Sequence, residues 1–293
     1  MVETIGLIGI GAMGKGMLKN LLQKGYQVYA YDAEQTSIDW AVQQGAIPVS
    51  SPREIGQAAQ VIFTSLPGPS IVRQVLAGED GVFSSLSSGS YLIDTSTTDP
   101  ETARDLYRLA RERGAHFFDC PVSGGPAGAD SGALTIMVGG DEEQLPTARP
   151  YLEAIGQEIV YLGESGSGQV AKLCHNAVVA TITIALGEAF TVAKKAGVEP
   201  SKLAEVIDKG SGHNRVLSIF GPNILNGTYE EVKFRLEHMH KDLSLYVGTA
   251  TYCTVPALMG SVTYQFYEAA KAQGKGTLDS SAVCEVIQSL ANH

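Results

Sequence analysis

The sequence predicts an α/β N-terminal domain with a mainly parallel sheet, followed by a second domain that is all helical. Short β-rich runs alternate with helical patterns over about the first 163 residues, as in βαβ units. The strands are continuous apolar runs, which is typical of sheets covered on both faces. Near Gly163 this alternation ends, and a proline-free, apolar stretch runs to about Lys195. We therefore predict one domain over residues 1–163 and a helical domain over residues 164–293.

The predicted elements follow in order along the chain. Strands are predicted at residues 5–10, 28–31, 61–66, 91–95, 117–119, 134–138 and 159–162. Helices of the first domain are predicted at residues 14–24 and from Asp99, an N-cap followed by Pro100, to Arg113. The second domain begins with a helix of about 30 residues, ~45 Å long, which we interpret as a spine clamped by other helices. Those other helices are predicted at residues 201–209, 236–251, 260–273 and 278–290.

Composition and charge exclude several classes of function. Lys and Arg number 21 and Asp and Glu number 31, so the net charge is −10. An acidic chain without Lys/Arg clusters lacks the electrostatic footprint of a nucleic-acid binder and is unsuited to anionic membranes. The four cysteines are scattered and form no C-x-x-C pair. We therefore predict no metal site and no disulfide framework.

The same features predict a cytoplasmic protein. The first residues lead directly into an apolar strand, without the basic region or cleavage site of a signal peptide. The apolar segment at residues 177–186 is shorter than the ~20 residues that a membrane span needs, so we interpret it as part of a buried helix. Scattered cysteines suit a reducing compartment.

A glycine motif follows the first predicted strand. The pattern G-x-G-x-x-G occupies Gly9, Ile10, Gly11, Ala12, Met13 and Gly14, at the start of a helix. In a Rossmann-type unit such glycines permit the tight turn, the approach of a pyrophosphate and close helix–strand packing. The second strand ends at Asp32, where an acid is expected to meet a ribose hydroxyl. No arginine follows directly, which favours NAD over NADP. The alternative is a glycine-rich turn with a surface aspartate.

One predicted helix carries Lys172, His175 and Asn176 on one face, at spacings of three and four residues. Polar groups that lead a long apolar helix need partners or a ligand, because burying them unpaired is costly. They are therefore candidate catalytic residues. The alternative is that Lys172 lies at a solvated helix start, His175 is a core histidine and Asn176 bonds to local backbone. The helix alone leaves both interpretations open.

Two polar loops follow strands of the same predicted sheet. Ser123 precedes Gly124 and Gly125, and a hydroxyl beside exposed backbone N–H groups makes a natural carboxylate cradle. Residues 94–97 lie at the end of another predicted strand, at the sheet edge where open α/β folds bind ligands. Considered separately, each is more often a turn than a site. A later Lys241-Asp242 pair on a helix is usually solvated charge.

Together, these motifs resemble the β-hydroxyacid dehydrogenase family. That family includes 3-hydroxyisobutyrate dehydrogenase, tartronate semialdehyde reductase and glyoxylate/succinic semialdehyde reductases. The resemblance covers nearly the whole chain in ordered motifs. They are the glycine motif, residues 94–97 with Pro100, residues 119–125, residues 132–140, Gly166-x-Gly168 ahead of Lys172 and Asn176, and Lys241-Asp242-Leu243.

The resemblance implies a Rossmann domain, a helical domain and hydride transfer between a nicotinamide cofactor and a small 3-hydroxy acid or semialdehyde acid. Candidate substrates are 3-hydroxyisobutyrate and 2-hydroxy-3-oxopropionate. It implies that Lys172 is the general acid and base. The implied substrate-binding residues are Ser123, Gly124, Gly125, His175 and Asn176. The implied cofactor-binding residues beyond the glycine motif and Asp32 are Leu66, Pro67, Thr97 and Lys241. A homodimer or homotetramer is implied as well.

The chain departs from the family pattern at His175, where many semialdehyde reductases have asparagine. The Lys-x-x-His-Asn pattern also occurs in 6-phosphogluconate dehydrogenases, but these are longer and have a glutamate where this chain has Val179, so we do not expect decarboxylation. The alternatives are a glyoxylate or succinic semialdehyde reductase, an imine reductase-like enzyme, and an inactive dinucleotide-binding interaction module. The intact Lys172 disfavours the last two. The role of residues 213–215, in a glycine-bounded loop, is left open.

Overall fold

The computed structural model describes residues 3–291, which divide after Lys172 into two compact units. The predicted fold class is confirmed, because the first unit is α/β and the described residues of the second are helical. The division lies nine residues after the predicted boundary at residue 163 (172 − 163 = 9). The reason is that the first turns of the following helix hydrogen-bond to residues of the first unit.

The first unit is built on one sheet, to which nine strands belong within the described residues. Their order is β3-β2-β1-β4-β5-β6-β8-β7, and β9 pairs with β8. The strands are β1 (Thr4–Ile8), β2 (Gln27–Tyr31), β3 (Ile47–Pro48), β4 (Val61–Thr64), β5 (Tyr91–Asp94), β6 (His116–Asp119), β7 (Val122–Ser123), β8 (Leu134–Gly139) and β9 (Gly156–Gly163).

Strands β1 to β6 are parallel and lie in the order of a doubly wound dinucleotide-binding sheet. β8 runs antiparallel to β6 and β7, so the sheet is mainly, not wholly, parallel. Consecutive strand residues enter different cores: Leu7 and Phe63 lie in one cluster, Ile8 and Ile62 in the other. Both faces are therefore covered, which explains why the strands are continuous apolar runs.

The helices of the first unit cover these two faces. As predicted, Asp99 caps the helix that begins at Pro100, since its carboxylate accepts from the Thr102 N–H at 2.7 Å. The helices are α1 (Ala12–Gln23), α2 (Gln35–Gln43), α3 (Pro52–Ala58), α4 (Pro69–Ala77), α5 (Pro100–Arg111), α6 (Gly125–Asp130) and α7 (Leu145–Leu152).

Helix α8 (Ser167–Lys195) begins in the first unit and continues into the second, matching the predicted long helix. Within residues 3–291 it is the one helix long and apolar enough to span a membrane by length and composition, and half of its most apolar window is buried. The remaining helices of the second unit are α9 (Pro200–Lys209), α10 (Arg215–Asn226), α11 (Leu236–Tyr252), α12 (Leu258–Ala272) and α13 (Cys284–Ala291).

Residues 213 and 214 lie in the predicted loop, whereas Arg215 is the first residue of helix α10, which the sequence did not predict. Asn214 is the N-cap of this helix, and its side chain accepts from the Leu217 N–H at 2.8 Å. His213 precedes the helix and is exposed. Asn214 therefore has a structural explanation in helix capping, which satisfies one of the free N–H groups of the first turn.

Candidate active site

The glycine motif forms the turn between β1 and α1. Gly9 has a φ of +96°, and a Cβ there would collide with the Ser65 carbonyl of the neighbouring strand connection. A Cβ on Gly14 would collide with the Gly9 carbonyl, so helix and turn pack at their closest approach. A Cβ on Gly11, by contrast, would meet nothing within 4 Å. The backbone at Gly11 is thus open to a ligand, while its neighbours fix the turn.

Asp32 lies beside this turn at the end of β2. Its Oδ2 accepts from the Ile10 N–H at 2.6 Å and its Oδ1 from the Glu34 N–H at 2.8 Å. A carboxylate has about four acceptor sites, so capacity remains for hydroxyl donors. The side chain is half-buried. An open helix N-terminus and an adjacent carboxylate fit the pyrophosphate and ribose of a dinucleotide.

The loops after β4 and β5 lie at the same edge of the sheet. The Leu66 N–H donates to Ser96 Oγ at 2.9 Å, which ties the two loops together. A Cβ on Gly9 would lie 3.2 Å from the Leu66 side chain, so the first loop borders the glycine turn. Pro67 is exposed and Thr97 is half-buried. The structure therefore places Leu66 beside the glycine turn and ties its loop to the loop that carries Thr97.

Lys172 is the last residue of the first unit and is only 7% exposed. Its Nζ donates to the Val122 carbonyl at 2.8 Å. Val122 and Ser123 form the short strand β7, and Gly124 and Gly125 follow with positive φ angles. The structure therefore brings Lys172 to the strand that carries Ser123. A solvated lysine at a helix start does not describe this side chain.

Asp119 holds the N-terminus of the helix that carries Lys172. It is fully buried at the end of β6, and its carboxylate accepts from the N–H groups of Gly166 at 2.7 Å and Gln169 at 3.0 Å. Burial raises the pKa of Asp119 to about 7, although these two amides act to lower it. A Cβ on Gly168 would lie 2.5 Å from the Met137 carbonyl. Gly168 thus permits α8 to start directly against the sheet.

The second unit contains three predicted site residues, His175, Asn176 and Lys241. The buried carboxylate of Asp242 contacts both Asn176 and Lys241. Asn176 is buried, and its Nδ2 donates to Asp242 Oδ2 at 2.6 Å. Lys241 Nζ lies 3.0 Å from Asp242 Oδ1. His175 is exposed, so it is not a core histidine. Because Asp242 is almost fully buried, its interpretation as solvated charge is wrong.

Three residues that contact the candidate site residues or hold the start of their helix were not predicted from the sequence. These residues are Asp119, Gln169 and Asp242. Each acts through a contact between positions 50 to 73 residues apart. The glycine pair Gly166 and Gly168 is the one sequence signal for the first two, since it marks a helix that begins in close contact with another backbone. For Asp242 the signal was its place next to Lys241.

Two family models together match most of the chain. The model described as the NAD binding domain of 6-phosphogluconate dehydrogenase matches residues 4–163. The model described as the NAD-binding region of NADP-dependent 3-hydroxyisobutyrate dehydrogenase matches residues 166–287. The matched ranges therefore cover the glycine turn, Lys172 and Asn176.

Individual proteins are similar along nearly the whole length. A probable mitochondrial 3-hydroxyisobutyrate dehydrogenase of Dictyostelium discoideum is 37% identical over 97% of this chain and 91% of its own. An NAD-dependent L-serine dehydrogenase of Pseudomonas aeruginosa is 37% identical over 96% of this chain and 97% of its own. The solved structure of a Mycobacterium tuberculosis 3-hydroxyisobutyrate dehydrogenase with L-serine has a TM-score of 0.90 at 33% identity, covering 98% of this chain and 100% of that chain.

Proposed function

The chain belongs to the β-hydroxyacid dehydrogenase family and is an NAD(P)-dependent oxidoreductase, and on that premise we propose that it interconverts a small 3-hydroxy acid and its semialdehyde with Lys172 as general acid and base. The candidate substrates share a carboxylate and an oxygen on C3, which is a hydroxyl in 3-hydroxyisobutyrate and L-serine and an aldehyde in 2-hydroxy-3-oxopropionate. The observation that carries the proposal is the contact of Lys172 Nζ with the Val122 carbonyl, directly before Ser123.

The contact with Val122 defines what the amine can do. One N–H of Lys172 donates to the Val122 carbonyl, which fixes Nζ beside the strand that carries Ser123, where we propose that it contacts a substrate oxygen. In oxidation, neutral Nζ takes the proton of the C3 hydroxyl while C3 loses a hydride. In reduction, the ammonium donates its proton to the aldehyde oxygen. Bound NAD(P) supplies or accepts the hydride.

The remaining residues bind and orient. The Ser123 hydroxyl and the backbone of Gly124 and Gly125 hold the substrate carboxylate. Asn176 follows Lys172 by four residues on α8 and holds the C3 oxygen, and Asp242 fixes its amide by accepting from Nδ2. His175 is assigned to substrate binding, where it distinguishes this chain from relatives with asparagine at that position.

The cofactor is assigned to the glycine motif, Asp32, Leu66, Pro67, Thr97 and Lys241. Asp32 already accepts from two backbone amides, and its carboxylate would repel a 2′-phosphate. Residues 33–35 contain no arginine that would bind such a phosphate instead. We therefore propose a preference for NAD(H) over NADP(H).

A panel of 3-hydroxy acids and semialdehydes, each assayed with both cofactors, tests this function. We expect turnover of at least one three- or four-carbon member, with kcat/KM higher for NAD(H). A cyclic imine serves as the control for the imine reductase alternative, and succinic semialdehyde and glyoxylate test the related reductases. A preference of tenfold or more for NADP(H) would show that Asp32 is misassigned. Turnover of the imine alone would contradict the function.

Ser123→Ala is expected to raise the substrate KM by about tenfold or more, because a hydrogen bond to a charged carboxylate contributes about 1.5–3 kcal/mol. The Kd of NADH, measured by fluorescence, should hardly change, which is the pattern of lost substrate binding. Ser131→Ala is the matched control, since that hydroxyl bonds within its own helix turn. Equal loss of NADH affinity in Ser123→Ala would place the serine on the cofactor side.

We also propose that the protein is cytoplasmic and assembles as a homodimer or homotetramer. The described part of the second unit exposes apolar side chains in and next to its long helix, among them Val178, Val192, Val198 and Val206. Exposed apolar surface of this kind often marks an interface between subunits. All four cysteines are free thiols, which suits a reducing compartment.

A further inference from the structure

Gln169 is a fully buried polar side chain in the first turn of α8, with no part in the chemistry described above. Its Oε1 accepts from the Thr98 N–H at 2.9 Å, and its Nε2 donates to the Ser96 carbonyl at 2.9 Å. Both partners are backbone groups. The side-chain amide, which carries a donor and an acceptor side by side, thus satisfies one acceptor and one donor of the loop after β5.

The two bonded residues flank Thr97, which the proposed function assigns to the cofactor. Ser96 also accepts, through Oγ, from the N–H of Leu66 in the loop after β4. The bonds of Gln169 therefore fix the backbone on either side of Thr97. Because Ser96 also bonds to the Leu66 N–H, they help to fix the position of Leu66 as well. One side chain of α8 thus holds the loops that carry two cofactor-binding candidates.

The backbone of Gln169 is fixed in turn. Its N–H donates to Asp119 Oδ2 at 3.0 Å, which ties it to the end of β6. Lys172 follows three residues later, within one helical turn, with Nζ on the Val122 carbonyl. Gln169 is thus bonded through its side chain to the loop that carries Thr97 and through its backbone to Asp119, one helical turn before Lys172.

We propose that Gln169 is a positioning residue that holds the Thr97 loop, and with it the cofactor side of the site, in register with Lys172. This inference rests on the proposed roles of Lys172 and Thr97. Hydride transfer depends on the alignment of the reacting groups, and small displacements reduce its rate strongly. Loss of the amide bonds should therefore lower the rate of reduction more than it lowers the stability of the fold.

Gln169→Glu gives this idea a pH signature. The protonated acid keeps the size of the amide, accepts from the Thr98 N–H and donates to the Ser96 carbonyl. Once ionised, it places a negative oxygen against that carbonyl oxygen. Burial disfavours ionisation, as do the carboxylate of Asp94 on β5 and that of Asp119 on β6 once Asp119 itself ionises near pH 7, whereas Lys172 on α8 and Arg104 on α5 favour it. The variant should therefore work at low pH and fail at high pH.

The experiment compares kcat/KM for NADH-dependent reduction in the variant and the wild type from pH 6 to 8.5. We expect the wild-type-to-variant ratio to be within about threefold at the acidic end and about tenfold or more at the alkaline end. Gln157→Glu, at an exposed position of β9, should show a ratio near one throughout. Gln169→Met, which lacks both bonds, should be impaired at every pH.

A ratio for Gln169→Glu that stays constant with pH, after correction for the folded fraction from thermal melts, would overturn the inference and leave Gln169 a purely structural residue. Wild-type protein that reduces no member of the panel would instead contradict the proposed function. The two failures are therefore distinguishable from the same set of assays.

Discussion

Replacing Lys172 by alanine is expected to lower kcat by about 10²–10⁴-fold, the range that general acid–base catalysis contributes. The affinity for NADH and the Tm should hardly change. The ammonium donates to the Val122 carbonyl, and its burial carries a desolvation cost that offsets its contacts and that the alanine variant no longer has. The loss should therefore fall on the chemical step, measured as kcat at saturating substrate.

Two further variants define the interpretation of that result. Lys172→Arg should not restore activity, because a guanidinium stays charged and cannot act as a base. Lys194→Ala, at an exposed position near the end of the same helix, should leave kcat unchanged. If Lys172→Arg were as active as the wild type, positive charge alone would explain the role of the lysine.

The second large effect is expected on stability, through Asp119. Burial raises its pKa from the usual 3.8 to about 7, so from about pH 4 to pH 7 the folded chain holds a proton that the unfolded chain releases. The free energy of unfolding therefore falls as pH rises through this window, by about 4 kcal/mol at most. The stability that the raised pKa contributes is complete below pH 4 and is lost above pH 7.

Asp119→Asn removes this titration. The amide retains one acceptor for the N–H groups of Gly166 and Gln169, so at pH 5 the variant should be less stable than the wild type by about 1–3 kcal/mol. The difference should shrink as pH rises towards 8, because only the wild type then holds a buried carboxylate. Urea unfolding of the wild type and the variant at several pH values measures the difference at pH 5 and its change with pH. A difference that is constant from pH 5 to 8 would contradict the raised pKa.

Much of the fold could be predicted from local patterns. Continuous apolar runs, Asp99 before Pro100 and the glycine motif each specify a local structure by a short-range rule. The two-residue strands β3 and β7 have no pattern of their own, because pairing with β2 and β8 defines them. Helix α10 was missed because Gly221 and Pro222 interrupt its helical signal, although packing keeps it helical.

In the candidate site, too, some residues could be predicted from local motifs and others could not. The glycine turn, Asp32 and Lys172 belong to motifs in which spacing carries the chemistry. The bonds of Gln169 to the loop after β5 join residues 71 and 73 positions apart, and that of Asp242 to Asn176 joins residues 66 apart. No periodicity encodes such contacts. They depend on how strands and helices pack, so the structure was needed to find the residues that contact the predicted ones.

The most direct test of Lys172 as the proton-transferring residue is the single-turnover rate of hydride transfer. The NADH complexes of the wild type and of Lys172→Ala are mixed with the best semialdehyde of the panel, and NADH absorbance is followed by stopped flow. Deuterated NADH shows by its isotope effect that the chemical step is observed. We predict a rate about 10²–10⁴-fold lower in Lys172→Ala, rising with added ethylamine as a substitute acid. A rate above about a third of the wild-type value without amine would contradict the mechanism.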